Sequence, residues 1–260
     1  MFFSSALQAR PRPAREDGRT GRAALLLSVC LTLGACATTR DFSSVSTLAK
    51  TAPAAAPTVD SPAGPVTLVL MPVDIELSLL TAGGVTQPNA AWTEAAKAHL
   101  VTALRAAPSL QGKRVQAYVE PAAGDPAGAT IDEIVHLHRA VGKAIIMHKL
   151  NVPLPTKQNR FDWSLGSDTA VLGRHAGADY ALFVYLRDSY SSAGRILTQL
   201  AAAALGVVVE GGQQVGFASL VNLASGDVVW FNFLLSPSGD LRDAAGAAGT
   251  VENLLTGMPR

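Results

Sequence analysis

The side chains of this sequence that could carry chemistry are five histidines, a few serines beside carboxylates and several glycine-rich turns. A helical zinc site takes two histidines four residues apart on one face. His136 and His138 are two apart in a stretch of helical periodicity, so they point to different faces. His138 and His148 lie nearer one face but about 15 Å apart along the axis, at 1.5 Å per residue. No metal site is expected. A serine hydrolase sets its nucleophile on a sharp turn such as G-x-S-x-G, and Gly166-Ser167-Asp168 and Ala218-Ser219-Leu220 lack the flanking glycines. A phosphate loop needs G-x-x-x-x-G-K-[ST]; Gly142-Lys143-Ala144 has neither the upstream glycine nor the hydroxyl. Gly211-Gly212-Gln213-Gln214-Val215-Gly216 precedes a strand instead of following one, which makes it a turn and not a nucleotide cradle. No catalytic residue and no cofactor is assigned.

The strongest candidate is the polar stretch from Asp188 to Arg195, read as a loop beyond the apolar run Tyr180–Leu186. Loops past the ends of central strands are where sheet proteins bind ligands. Tyr190 and Arg195 are of the types that dominate binding hot spots, and Asp188 and Ser192 complete the interaction loop. Residues 196–209 follow without a single charge. Burial in the core is the expected fate of such a segment. The other reading is an apolar surface for a membrane or a partner. It is too short to cross a bilayer as a helix.

The amino-terminal region makes a chemical proposal of its own. Of 21 basic and 20 acidic residues, residues 1–35 hold five arginines against Glu16 and Asp17. Without that segment the chain is near −2, with no basic patch to meet a phosphate backbone, so nucleic-acid binding is not expected. The arginines precede an uncharged run, Ala23–Leu33, with the length of a signal-peptide core and well short of the roughly 20 apolar residues of a membrane span. The run ends in Leu33-Gly34-Ala35-Cys36, which resembles the lipobox of bacterial lipoproteins at all four positions. The resemblance implies a diacylglyceryl thioether on Cys36, cleavage between Ala35 and Cys36, and acylation of the new amine. Two or three chains hold a protein stably at a membrane where one does not. Ala37 after the cysteine, by analogy, points to the outer membrane. The only other cysteine is Cys30, so the mature chain can form no internal disulfide.

Residues 36–65 are rich in Ala, Pro, Ser and Thr and read as a flexible tether. Residues 66–260 read as one domain. Val66–Val73 is a β-branched strand bent near Pro72, with Asp74–Leu80 extending it. Helices are expected over 89–107, 130–150 and 164–175, and a closing helix over 240–255. Strands are expected at 114–119 and 180–186, the latter central because its apolar run is unbroken. Residues 215–223 and 228–235 flank a Gly-containing turn and predict a late β-hairpin. The fold class is α/β: one domain, a mixed sheet of about five strands, helices packed on it.

Gly177-Ala178-Asp179-Tyr180 entering a strand, followed by the hairpin Leu223-Ala224-Ser225-Gly226-Asp227-Val228-Val229-Trp230, resembles periplasmic lipoproteins of the curli-secretion-channel and penicillin-binding-protein-activator kind. The resemblance covers roughly residues 177–235. It implies an α/β domain that works by protein–protein contact and has no catalytic residue. The expectation is a non-enzymatic cell-envelope lipoprotein, anchored through acyl chains on Cys36 at the outer membrane facing the periplasm, and docked on a protein partner or on copies of itself. The alternative is an envelope hydrolase or small-ligand-binding protein that uses Asp188, Tyr190, Ser192 and Arg195, with Asp162 or His175 nearby.

Overall fold

The computed structural model describes residues 44–49, 66–150, 154–157, 160–236 and 240–259. Cys36, the segment read as a signal peptide and most of the segment read as a tether lie outside them. Thirteen elements organise the described residues: β1 (Ser44–Ala49), β2 (Thr67–Leu70), β3 (Asp74–Leu80), β4 (Thr86–Pro88), α1 (Ala90–Ala106), β5 (Arg114–Ala117), α2 (Pro126–Leu150), α3 (Thr169–Ala176), β6 (Tyr180–Ser191), α4 (Ala193–Ala204), β7 (Gln214–Asn222), β8 (Val228–Ser236) and α5 (Ala244–Leu254).

The strands make one mixed sheet in the order β1-β8-β7-β6-β2-β5, with β3 also against β6 and β4 against β3. β6 is central, as its apolar run requires. β7 lies antiparallel along one side of it, and β2 then β3 lie parallel along the other. β2 and β3 are one path bent at Pro72, which has no N–H to give the ladder; Met71 N still donates to Leu182 O at 3.0 Å. The class is α/β as expected, but the sheet has eight strands where about five were expected. The bend at Pro72 splits one expected strand into two. β4 is only three residues long. β1 comes from inside the stretch read as tether: residues 44–49 pair with the otherwise open edge of β8, and an edge strand needs no apolar run to announce it.

Helices cover both faces. On one, Ala96, Leu100 and Leu104 of α1 and Ala247, Val251 and Leu254 of α5 pack on Leu182, Val184 and Leu186. On the other, Ile131, Ile134 and Ile145 of α2 and Leu172 of α3 pack on Phe183, Tyr185 and Phe217. Local signals set the ends. Asn89 caps α1, its Oδ1 accepting from Trp92 N at 3.0 Å, and the helix stops before Pro108. Gly142 brings α2 close to the sheet: a Cβ there would lie 2.1 Å from the ring of Phe217.

The two sequence signatures have structural jobs. Gly177 ends α3 in the left-handed conformation at φ 60°. Asp179 then clamps β2, accepting from Thr67 N at 2.8 Å through Oδ2 and donating its own N–H to Thr67 O at 2.9 Å. In the hairpin turn, Asn222 Oδ1 accepts from Ala224 N and Ser225 N. Gly226 holds φ 76° against the backbone of Gly166, where a Cβ would lie 2.0 Å from the carbonyl oxygen.

Candidate functional site

The stretch expected to be a polar loop is mostly strand and helix. β6 continues through Ser191, Ser192 caps α4, and Arg195 lies within that helix. The ladder explains the error. Asp188 to Ser191 remain paired with Leu77–Leu80 of β3, and Asp188 also pairs with Gln214 of β7, so the polar residues extend a strand that neighbours already hold on both sides.

Strand alternation turns Asp188 and Tyr190 toward the α1–α5 layer. Asp188 is buried. Its Oδ2 accepts from Tyr190 OH at 2.6 Å and from Gln214 Nε2 at 3.0 Å. Gln214 Oε1 accepts from Thr250 Oγ1 of α5 at 3.2 Å, and Tyr190 OH accepts from Leu241 N at 2.9 Å. Trp92 meets the Tyr190 ring edge-on at 5.6 Å, and the Arg242 guanidinium, tied to Asp240, lies 3.9 Å from the ring centre. Burial pushes the Asp188 carboxyl above its ordinary range, against the pull of the two hydrogen bonds it accepts. Burial, and then the carboxylate beside it, push the Tyr190 hydroxyl upward as well. A Tyr–Asp pair of this kind can share a proton, but here every partner is internal. The knot joins β6, β7, α5 and the segment before it.

Ser192 and Arg195 are equally engaged. Ser192 Oγ accepts from Arg195 N at 3.1 Å as the cap of α4. Arg195 donates Nε and Nη2 to Glu210 O at 3.0 and 2.7 Å and reaches Ala82 O through Nη1 at 3.5 Å. The structure does not bring Asp162 or His175 to this group. Asp162 pairs with Lys157 at 2.9 Å, next to the segment that bridges to the hairpin turn. His175 donates to Val119 O at 2.7 Å from the end of α3. Both belong to the part of the sheet where β6 begins, while Asp188 to Arg195 lie where it ends. Two cavities, of about 320 and 650 Å³, are lined by residues such as Arg105, Gln111, Lys113 and Met258, and neither includes a member of the 188–195 group.

Two buried side-chain atoms among the described residues, Trp230 Nε1 and Asn232 Oδ1, have no hydrogen-bond partner; the other polar clusters are paired. His138 is buried, 2.7 Å from Ser219 Oγ and stacked on Phe183, and burial pushes its imidazole down to about 3. Asp74 receives Arg139 and Arg187 at 2.7 and 2.8 Å, with Arg187 over the Tyr185 ring. Among the described residues no three His, Cys, Asp or Glu side chains gather as a metal site would.

The uncharged segment 196–209 departs most from expectation. It is not buried. α4 has no buried residue, and Leu197, Leu200, Leu205 and Val208 are 67, 63, 82 and 92% exposed. The helix and the irregular return segment after it form a compact excursion. Gly206 at φ 75° reverses the chain, Val207 N donates to Ala202 O, and Gln199 Nε2 donates to Val209 O at 3.2 Å. Its base is stitched by Ser191 Oγ accepting from Gly212 N and by Ser189 Oγ accepting from Gln213 N. Gly212 is required there, because a Cβ would lie 2.0 Å from Ser189 O. The sequence signal for an exposed face was the absence of charge between Arg195 and Glu210, but composition alone cannot say whether another layer covers such a segment.

No family model and no curated protein matches the chain. Among solved structures it aligns with a PelC dodecamer from Paraburkholderia phytofirmans. In a point-substituted form the identity is 14%, the alignment covers 82% of this chain and 96% of that one, and the TM-score is 0.36. In the second PelC structure the identity is 15% over the same shares, with a TM-score of 0.32. The C-terminal domain of LpoB from Salmonella enterica aligns at 12% identity over 67% of this chain and 85% of that one, with a TM-score of 0.25.

Proposed function

We propose that this is a cell-envelope lipoprotein, held by acyl chains on Cys36 at the periplasmic face of the outer membrane, whose folded body acts by docking and not by catalysis. The observation that carries the reading is the exposed, uncharged surface of α4 and residues 205–209. A contiguous apolar surface of this kind marks a contact with another molecule. The polar group beside it is internally paired, so its chemistry is spent on holding the fold. The lipobox residues place the body where such contacts are available: on envelope proteins, on other copies or on the bilayer.

The test is accessibility in cells. Leu200→Cys sits on the apolar surface and Ser225→Cys in the hairpin turn at the other end of the sheet. On this reading the mature chain has no free thiol of its own. A maleimide should label Ser225→Cys readily and Leu200→Cys poorly in cells with a permeabilised outer membrane, each normalised to the urea-unfolded chain. Equal labelling of the two positions refutes the docking surface.

A further inference from the structure

We infer that the surface formed by α4 and its return segment is a second membrane contact: it lies on the same bilayer face that holds the acyl chains, and it orients the body there. This rests on the docking reading above and names the occupant.

The argument is one of sheet geometry. Ser44, where β1 begins, is in register with Leu235 of β8; Leu235 is in register with Val215 of β7, and Val215 with Arg187 of β6. Three ladder steps of about 4.8 Å put Ser44 roughly 14 Å across the sheet from Arg187. β6 runs on from Arg187 to Ser191 and opens directly into α4. The end of the sheet at which the chain enters is therefore the end from which the apolar excursion projects. Cys36 is eight residues before Ser44, a reach of at most about 29 Å. A body tethered so briefly at that end presents α4 to the surface its tether is fixed in.

The chemistry fits a lipid surface. Between Arg195 and Glu210 there is no charge to desolvate. Of the two flanking charged residues, Arg195 is drawn to the base of the excursion, its guanidinium held by the backbone carbonyl oxygens of Glu210 and Ala82. Val85, in the neighbouring turn between β3 and β4, adds another exposed apolar side chain next to Gly84, where a Cβ would lie 3.4 Å from the Arg195 guanidinium. The twelve residues of α4 are about 18 Å long at 1.5 Å per residue, short of a roughly 30 Å hydrocarbon core. Among the described residues no helix is long and apolar enough to cross a membrane. The surface lies in the interface and does not span it.

The experiment uses the mature lipoprotein reconstituted into vesicles of phosphatidylethanolamine and phosphatidylglycerol, with an environment-sensitive fluorophore on Leu200→Cys or Ser225→Cys. Both sites are exposed, so neither substitution disturbs the core. The probe at position 200 should be blue-shifted, quenched by lipids brominated on their acyl chains, and several-fold less accessible to aqueous iodide than the probe at 225. Equal iodide quenching at the two positions, without bromine quenching, overturns the bilayer as occupant. If Leu200→Cys is nevertheless protected in cells, and a photo-crosslinker at Leu197 captures a protein or a second copy of the chain, docking stands and only the lipid assignment falls. If it is unprotected in cells as well, both fall.

Discussion

Replacing Tyr190 by Phe tests whether the buried knot at the end of β6 is held as its geometry implies. The substitution keeps the ring against Trp92 and Arg242 and removes one oxygen. That oxygen donates to a buried carboxylate at 2.6 Å and accepts from Leu241 N at 2.9 Å. A hydrogen bond to a charged group contributes about 1.5–3 kcal/mol, and a stranded partner adds to the loss. A cost of about 2–3 kcal/mol at neutral pH follows, or about 4–12 °C in Tm for a chain of this size.

The same substitution should show a signed pH dependence. Burial raises the folded pKa of Asp188 above its unfolded value. The folded state then binds the proton more tightly, so this group favours folding most below the ordinary carboxylate range. Its contribution declines as pH rises from there through the folded pKa. The Tyr190 hydroxyl opposes that shift by bonding the ionised form. Removing it lets the folded pKa climb further and extends the decline to higher pH. The cost of Tyr190→Phe should therefore be smallest in acid, about 1 kcal/mol where a neutral carboxyl is the partner, and should grow toward neutrality. Urea unfolding followed by Trp fluorescence at several pH values, for wild type, Tyr190→Phe, Asp188→Asn and the double variant, measures this as a coupling energy. A coupling near zero at neutral pH, or a cost that is the same in acid, refutes the assignment.

Three further outcomes are expected. Gly142→Ala gains about 1 kcal/mol of helix propensity but places a methyl 2.1 Å from the Phe217 ring; overpacking of about 1–3 kcal/mol should prevail, and an unchanged or raised Tm would contradict the close approach of α2. His138 is held neutral by burial, with its pKa pushed down to about 3, so the stability it protects is fully present above the unfolded value near 6.5 and is lost as pH falls through the interval below. His138→Gln should flatten the wild-type loss of roughly 1.4 kcal/mol per pH unit there, and denaturation curves from pH 7 to 5 that keep their slope would refute it. Cys36→Ser should leave an uncleaved, unlipidated precursor, and mass spectrometry of the variant finding a processed, acylated chain would end the lipoprotein reading.

Much of the framework was legible because each element carried its own signal. The unbroken apolar run of Tyr180–Leu186 marked the central strand, Asn89 and Pro108 bounded α1, and Gly226 announced the hairpin turn. What escaped depended on neighbours. Asp188 to Ser191 look like a loop in isolation and are strand only because β3 and β7 extend beside them. Residues 44–49 have the composition of a tether and form a strand because the edge of β8 is open to them. The candidate residues Asp188, Tyr190, Ser192 and Arg195 were visible as types, but the residues that close the knot around Asp188 and Tyr190, namely Gln214, Leu241, Arg242 and Thr250, lie 26 to 62 positions from Asp188, with no local pattern to connect them.

The polar group and the uncharged segment, two separate curiosities in the sequence, act as one device in the structure. An exposed apolar helix is unfavourable in water, and on a loose stalk it would fold back onto any apolar surface nearby. The end of β6 prevents this. Asp188 and Tyr190 lock the strand to α5 and the segment before it, Ser192 starts α4 at a fixed point, and Arg195 ties the two legs of the excursion to the β3–β4 turn. Ser189, Ser191 and Gly212 close the base by contacts too tight for a larger residue at position 212. Polar residues that would be wasted in a loop are thus placed where rigidity is needed, and the apolar residues beyond them are left facing out. That division of labour is what the proposed contact surface requires: a rigid, internally paired base that holds an apolar face outward.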